Sequence, residues 1–178
     1  KAFCPTSYGF RPGRGAKDAL REVDELIRGG YTHVVDADVE KFFDRIDKAR
    51  LMRRLEERIS DGRLLSLLAG WLDEDIVQDA ARWRQTRGTP QGAVISPLLA
   101  NVYLHPLDEL MDSQGARMVR YADDFVILCR TPEAAEAALA RVQAWVADNG
   151  LSLHPDKTRI GDCSRPGQGF EFLGYRFE

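Results

Sequence analysis

Two short apolar runs separated by an acidic pair constrain this chain more than any other feature. Residues 117–121 and 125–130 each favour a strand, and the Ala122-Asp123-Asp124 segment between them is typical of a tight turn. The pattern predicts a β-hairpin with carboxylates at its tip. An acidic pair in a turn is most often only a hydrophilic turn, because aspartate suits turn geometry. The surroundings of the pair therefore decide whether it marks a site.

The remaining segments predict the other elements of an α+β domain. A strand is expected over 31–39, where β-branched residues lead up to Asp36 and Asp38. Apolar residues at helical spacing predict helices over 16–28, 48–57, 61–72, 94–111 and 132–149. Short strands are expected at 151–153 and 158–160 and a last hairpin at 170–177, whereas 73–92 has little periodicity and predicts a loop or hairpin.

From 31 to 160, the order strand, helices, hairpin, helix, strand matches a ferredoxin-like β-α-β-β-α-β plan with a helical insertion after the first strand. That plan brings the end of the first strand beside the hairpin. Asp38, Asp123 and Asp124 are then expected to converge, with no basic partner near them in sequence. Oxygen ligands of this kind favour a hard cation such as Mg²⁺, which predicts a phosphoryl-transfer site.

Composition limits the class of protein. The chain has 178 residues, 44% hydrophobic and 30% charged, which fits one globular domain. It contains no apolar run of roughly 20 residues and no signal-peptide pattern at residues 1–5, so we expect a cytosolic protein without membrane association. Three widely spaced cysteines favour neither a disulfide framework nor a zinc site. The net charge of -3 argues against nucleic-acid binding, although basic residues cluster in 1–21 and 82–87.

Tyr121-Ala122-Asp123-Asp124 resembles the signature of reverse transcriptases. Further blocks resemble those of group II intron-encoded (retron- or CRISPR-associated-like) enzymes in the family's order: 7–14, 36–44, 88–101, 151–158 and 172–175. They cover nearly the whole chain, which makes the resemblance far more specific than the four-residue signature alone. The resemblance implies a polymerase palm of ferredoxin-like type with a helical fingers insertion.

The same resemblance implies a division of the chain. It places the fingers at 1–30 and 45–92, the palm with its catalytic site at 31–44 and 93–165, and a primer-grip-like hairpin at 166–178. The family's fingertip strands would precede Lys1 and its helical thumb would follow Glu178, so the isolated chain is expected to be weakly active or inactive. Apolar surface at 170–177, where a thumb would dock, is expected to favour self-association.

The implied activity is that of an RNA-directed DNA polymerase, which adds dNTPs to the 3′-hydroxyl of a DNA or RNA primer on an RNA template. Two Mg²⁺ ions, replaceable by Mn²⁺, would be held by the catalytic residues Asp38, Asp123 and Asp124 and by the Val39 carbonyl. Residues expected to bind the nucleotide are Lys41, Phe42, Phe43, Gln91, Gly92 and Lys157. Those expected to contact nucleic acid are Arg11, Arg14, Tyr121, Leu173, Gly174 and Tyr175.

Two of these residues have specific implied roles. The Phe43 ring would clash with a 2′-hydroxyl and so favour deoxynucleotides, although it also fits a core position beside Phe42. Lys157 would neutralise or protonate the leaving pyrophosphate, although a surface lysine fits the local sequence equally well.

Other functions remain open from the residues. An RNA-dependent RNA polymerase shares paired aspartates in a palm, but Phe43 and the Tyr121-Ala122 pair disfavour it. A non-catalytic RNA-binding or maturase module would not need Asp38, Asp123 and Asp124. Intron mobility, CRISPR adaptation, defence and repair are all compatible contexts, so intron RNA and CRISPR adaptation proteins are both candidate partners.

Overall fold

The computed structural model describes residues 3–73, 76–78, 81–83 and 95–178. The main sheet contains β1 (His33–Ala37), β4 (Arg117–Tyr121), β5 (Asp124–Cys129) and β6 (Arg159–Asp162). Two hairpins pair β2 (Ile76–Gln78) with β3 (Ala81–Trp83) and β7 (Phe170–Phe172) with β8 (Tyr175–Phe177). The helices are α1 (Ala16–Arg28), α2 (Phe42–Arg45), α3 (Lys48–Glu56), α4 (Gly62–Asp73), α5 (Ser96–Ser113) and α6 (Pro132–Asp148).

The strands of the main sheet lie in the order β4-β5-β1-β6, and each neighbouring pair is antiparallel. The mixed helix and sheet class expected from the sequence is therefore confirmed. Among the described residues, no helix has the length and apolar character that crossing a bilayer requires.

Most predicted elements are present with shifted ends. The helices and both predicted hairpins appear, and the loop-or-hairpin region contains the β2–β3 pair. The first strand is shorter than expected, so Asp38 lies one residue beyond its end. The short helix α2 was not predicted, and the strand expected at 151–153 is reduced to an isolated bridge between Leu153 and Val39.

Alternation along the strands gives the sheet two apolar faces. One face, which includes Val35, Ala37 and Phe125, packs in a cluster with α3, α5 and α6. The other face, which includes Val34 and Val126, packs in a second cluster with α1 and the β7–β8 hairpin. Helices and the β7–β8 hairpin thus pack against both faces of the sheet.

The segment before α1 covers the free edge of β4. The Arg120 amide donates to the Thr6 carbonyl at 2.9 Å, and the Tyr8 amide donates to the Arg120 carbonyl at 2.8 Å. Two arginines predicted to contact nucleic acid hold this segment together instead of extending into solvent. The Arg11 guanidinium donates to the Ser7 carbonyl at 2.5 Å, and that of Arg14 donates to the Pro5 carbonyl. The fold thus gives both arginines a structural role, and their contact with nucleic acid stays a prediction.

The β7–β8 hairpin packs its aromatic side chains inward. Phe170 and Phe172 are each 1% exposed and belong to the second cluster, where the Phe177 ring stacks on Phe170 at 5.2 Å. The exposed apolar surface expected over 170–177 is therefore much smaller than predicted. Tyr175, 61% exposed, is its main remaining part, because the alternate residues of the hairpin face the core.

Candidate active site

Strand register brings the predicted acids together. The pairing of β1 with β5 ends at Ala37 opposite Phe125. Because the strands are antiparallel, the same register places Asp38 beside Asp124 one position further on. Tyr121 pairs with Asp124, which leaves Ala122 and Asp123 as the two turn residues between β4 and β5. The expected convergence at the end of the first strand is therefore present in the backbone.

These side chains line a cavity of about 470 Å³ at the end of the sheet. Asp36 and Glu171 also line it, although neither was predicted to belong to the site. Asp36 could have been found from the Asp36-Ala37-Asp38 spacing, because alternate residues of a strand share a face. Glu171 has no comparable signal, since it arrives from the distant β7. The full lining is Asp36, Ala37, Asp38, Asp123, Asp124, Asp156, Lys157, Arg159 and Glu171.

The acids do have basic partners, contrary to the expectation from local sequence. The Lys157 ammonium lies 2.9 Å from an Asp38 carboxylate oxygen, and the Arg159 guanidinium lies 3.5 Å from Asp36. Arg159 is the first residue of β6 and Lys157 lies just before it, and β6 pairs with β1 in an antiparallel manner. Backbone bonds fix this approach: the His154 amide donates to the Asp38 carbonyl at 2.8 Å. A basic partner far away in sequence is thus adjacent in space.

Burial and the closeness of the carboxylates raise the pKa values of three of them. Burial, together with the negative charges of the nearby Asp36 and Asp123, raises the pKa of Asp124 to about 6, against the lowering effect of the Leu173 amide. Burial first and Asp38 second raise the pKa of Asp123. The pKa of Asp36 is raised mainly by burial, against the lowering effect of Arg159. Asp124 has substantial exposed surface, so solvent limits the electrostatic cost. The cavity still favours added positive charge.

The side chains are not arranged as a finished metal centre. Among the described residues, no group of three His, Cys, Asp or Glu side chains is placed so that it could hold a metal ion. Two of the acids are turned toward cations, Asp38 toward Lys157 and Asp36 toward Arg159. Chemically the donors still suit a hard cation, because all are carboxylate oxygens. Binding would require Asp38 to exchange its ammonium partner for the ion.

The turn between β4 and β5 has an unusual backbone. Ala122 has a φ of 58°, in the left-handed region, and is only 6% exposed. The first residue of a two-residue hairpin turn with positive φ is normally glycine, so alanine at this position is strained. Gly9 lies directly against it, because a Cβ at Gly9 would be 2.5 Å from the Ala122 nitrogen. The turn that carries the acids is therefore held by its neighbours.

The residues predicted to bind a nucleotide are only partly described. Lys41 is exposed with a φ of 47°, Phe42 is 2% exposed in the core, and Phe43 is partly buried against Phe42 at a ring distance of 5.2 Å. Phe42 is therefore a core residue, while Phe43 retains exposed surface. Val39 is 4% exposed and forms an isolated bridge with Leu153. Gln91 and Gly92 lie outside the described residues.

Four residues predicted to contact nucleic acid lie on the two hairpins, β4–β5 and β7–β8, that carry acids of the cavity. Tyr121 is partly exposed, and its ring lies 5.7 Å from that of Phe10, which is 56% exposed and was not predicted. Leu173 and Gly174, with φ values of 51° and 78°, form the turn of the β7–β8 hairpin that precedes Tyr175. Exposed aromatic rings of this kind can stack on bases.

The family model described as "Reverse transcriptase (RNA-dependent DNA polymerase)" matches residues 1–177. The chain belongs to the reverse transcriptase family. The resemblance inferred from the sequence blocks is thereby confirmed.

Relatives place this reverse transcriptase domain in context. Protein YkfC of Escherichia coli is 30% identical, over 98% of this chain and 55% of YkfC. The group II intron-encoded protein LtrA of Lactococcus lactis subsp. cremoris is 35% identical, over 61% of this chain and 18% of LtrA. The chain thus spans about half the length of YkfC and a smaller share of LtrA.

Similarity of fold extends to telomerase. The structure of Candida albicans telomerase, solved with a fragment of telomeric RNA, superposes with a TM-score of 0.72 at 14% identity. The match covers 96% of this chain and 33% of the telomerase chain. At that identity the match establishes a shared fold and nothing about substrate.

Proposed function

We propose that this chain is the palm, with part of the fingers, of an RNA-directed DNA polymerase that adds dNTPs to a primer 3′-hydroxyl. Asp38, Asp123 and Asp124 would hold two Mg²⁺ ions with the Val39 carbonyl as a further ligand, and Mn²⁺ would be able to replace them. The observation that carries the proposal is the convergence of these acids from β1 and the β4–β5 turn in one cavity.

The architecture supports this assignment. The order β4-β5-β1-β6 with antiparallel neighbours is the order that a ferredoxin-like β-α-β-β-α-β chain produces, with α5 and α6 as its two helices and with α2 to α4 and the β2–β3 pair inserted between β1 and α5. We therefore assign 31–44 and 93–165 to the palm, 1–30 and 45–92 to the fingers, and 166–178 to a primer-grip-like hairpin.

The carboxylates of the acid site repel one another and are suited to bind a hard cation. Burial and like charge raise the pKa of Asp124 and of Asp123, so a divalent ion would relieve repulsion that the exposed ammonium of Lys157 relieves only for Asp38. Bound Mg²⁺ would stabilise the charge that develops on the attacking and leaving oxygens. The chain's own contribution is to hold the carboxylates at the end of a rigid sheet.

Two other side chains have assigned tasks in this proposal. Lys157, whose pKa is raised by its contact with Asp38, would be released from Asp38 and carry its proton and positive charge to the leaving pyrophosphate. Phe43, supported by the buried Phe42 ring, would present its remaining face to the incoming sugar and exclude a 2′-hydroxyl. Tyr121 and the Leu173-Gly174 turn would contact the primer end.

A second candidate is a non-catalytic RNA-binding module, favoured by the similarity to the intron-encoded LtrA. In both cases the partner would be RNA, as template or as intron. The two functions make different demands on the acids, because only the polymerase needs Asp38, Asp123 and Asp124 to be charged.

The deciding experiment compares the full-length wild-type protein with Asp123→Asn in primer extension on an RNA template with a DNA primer. The variant keeps the side-chain shape but removes a metal-binding charge, so the rate should fall at least about a thousandfold while RNA binding is retained. Asp148→Asn, which neutralises an exposed acid on α6, is the matched control. A wild type that binds RNA but never extends a primer would favour the non-catalytic module, and an undiminished Asp123→Asn rate would refute the catalytic assignment.

A further inference from the structure

We propose that Arg120, together with Asp108 and Asn101, is a positioning residue that fixes the strained Ala122 turn and thereby sets where Asp123 and Asp124 stand. The inference rests on the polymerase function proposed above. It adds to that site three buried polar residues, on β4 and α5, that do not line the cavity.

The Arg120 guanidinium is completely buried, as is Asp108. Its Nε and Nη2 donate to the two carboxylate oxygens of Asp108 at 2.7 and 2.5 Å. Its Nη1 donates to Asn101 Oδ1 at 2.8 Å and to the Ala122 carbonyl at 2.6 Å. A planar fork with this many partners has one orientation that satisfies all of them. The Ala122 carbonyl is therefore bound to a group that cannot rotate freely.

Asn101 joins the same group to the segment before α1. It is completely buried, and its Nδ2 donates to the Gly9 carbonyl at 2.8 Å. Gly9 in turn touches the Ala122 nitrogen so closely that even a Cβ would not fit. The turn is thus held on its carbonyl side by Arg120 and pressed on its amide side by Gly9, and Asn101 fixes the distance between the two contacts.

Stability alone is a poor explanation for this arrangement. Burying an ion pair removes hydration from both charges, and apolar side chains of similar volume usually stabilise a core as well or better. The pair does, however, supply contacts that fix the strained conformation of the turn. Ala122 occupies a conformation that usually needs glycine, and such strain persists only where surrounding contacts fix it. Asp123 follows Ala122 directly, so an error in the turn moves both acids.

The test uses the full-length protein and separates chemistry from binding. Asn101→Ala removes one link, Gly9→Ala pushes on the turn without touching the ion pair, and Arg120→Lys keeps the charge but loses the fork. For each, the kcat of primer extension should fall about tenfold or more, and the Mg²⁺ concentration at half-maximal rate should rise by a similar factor, as for other groups that orient metal ligands. The KM for dNTP and the Kd for primer-template should change less than about twofold, since none of the three substituted residues is proposed to contact a substrate.

Val142→Ala serves as the matched control, because it removes apolar volume from the α6 core without contacting the turn. A merely structural role would make the variants resemble this control, with lower stability but an unchanged Mg²⁺ response and kcat. Wild-type behaviour of folded Asn101→Ala and Gly9→Ala would overturn the inference, even where Arg120→Lys fails to fold. A wild type that incorporates no nucleotide would overturn the polymerase proposal and this inference together, whereas an active wild type with unaffected variants would overturn only the inference.

Discussion

Removing one member of the buried Arg120–Asp108 pair should cost more stability than removing both. Arg120→Met leaves the fully buried Asp108 carboxylate without its two charged hydrogen bonds, and Asp108→Val leaves the buried guanidinium without its only charged partner among the described residues, although its bonds to Asn101 and Ala122 remain. A single loss of this kind costs about 3–5 kcal/mol. In a domain of this size, that corresponds to a fall in Tm of roughly 6–20 °C.

The double variant should be less damaged than either single variant. It contains no buried unpaired charge, and the remaining loss is that of the hydrogen bonds to Asn101 and Ala122, about 1–3 kcal/mol. Urea unfolding of the 178-residue chain, followed by circular dichroism at constant m value, would measure all four corners of the cycle. Strictly additive losses would refute the reasoning, because they would show that the two side chains do not act as a pair.

Two further predictions concern the cavity. The folded-state pKa of Asp124 lies above its ordinary value, so this group stabilises the fold at low pH and the contribution is lost as pH rises from about 4 through about 6. Thermal melts without divalent ions should therefore show a smaller loss of Tm between pH 4.5 and 7.5 in Asp124→Asn than in the wild type or in the control Glu136→Gln. An equal loss of Tm in all three proteins would contradict the raised pKa. Phe43→Ala in the full-length protein should raise ribonucleotide incorporation relative to deoxynucleotide, measured as the ratio of kcat/KM values for single-nucleotide insertion, and an unchanged ratio would return Phe43 to a purely structural role.

Local periodicity explains which elements could be predicted. The helix α6 and the β4–β5 hairpin carry their patterns within one continuous stretch, so their existence and type follow from the sequence. The four residues of α2 are too few to show a helical period, and its start at a left-handed Lys41 has no sequence signature. Pro106 falls inside the helix predicted over 94–111, and the strongly apolar pattern of α5 outweighs it.

Long-range contacts explain what the sequence could not predict about the site. The convergence of Asp38 with the acidic pair followed from the order of elements, since the plan itself places the first strand beside the hairpin. The contact of Lys157 with Asp38 depends on how β6 pairs with β1, and Glu171 arrives on a separate hairpin. Arg120 does carry a signal, because a charge inside an apolar strand needs a buried partner. Nothing local identifies that partner as Asp108.

The site therefore combines two kinds of positive charge that differ in burial. Arg120 is buried, uses its fork fully and cannot leave without exposing a buried carboxylate, so it is suited to hold the turn. Lys157 and Arg159 are more than half exposed in their side chains, and their pairs with Asp38 and Asp36 are worth little in water. Under the function proposed above, a divalent ion would displace these exposed cations at little cost, whereas Arg120 would keep the turn of Asp123 and Asp124 in place. A fixed turn beside exposed ion pairs would suit the metal-dependent site of that proposal.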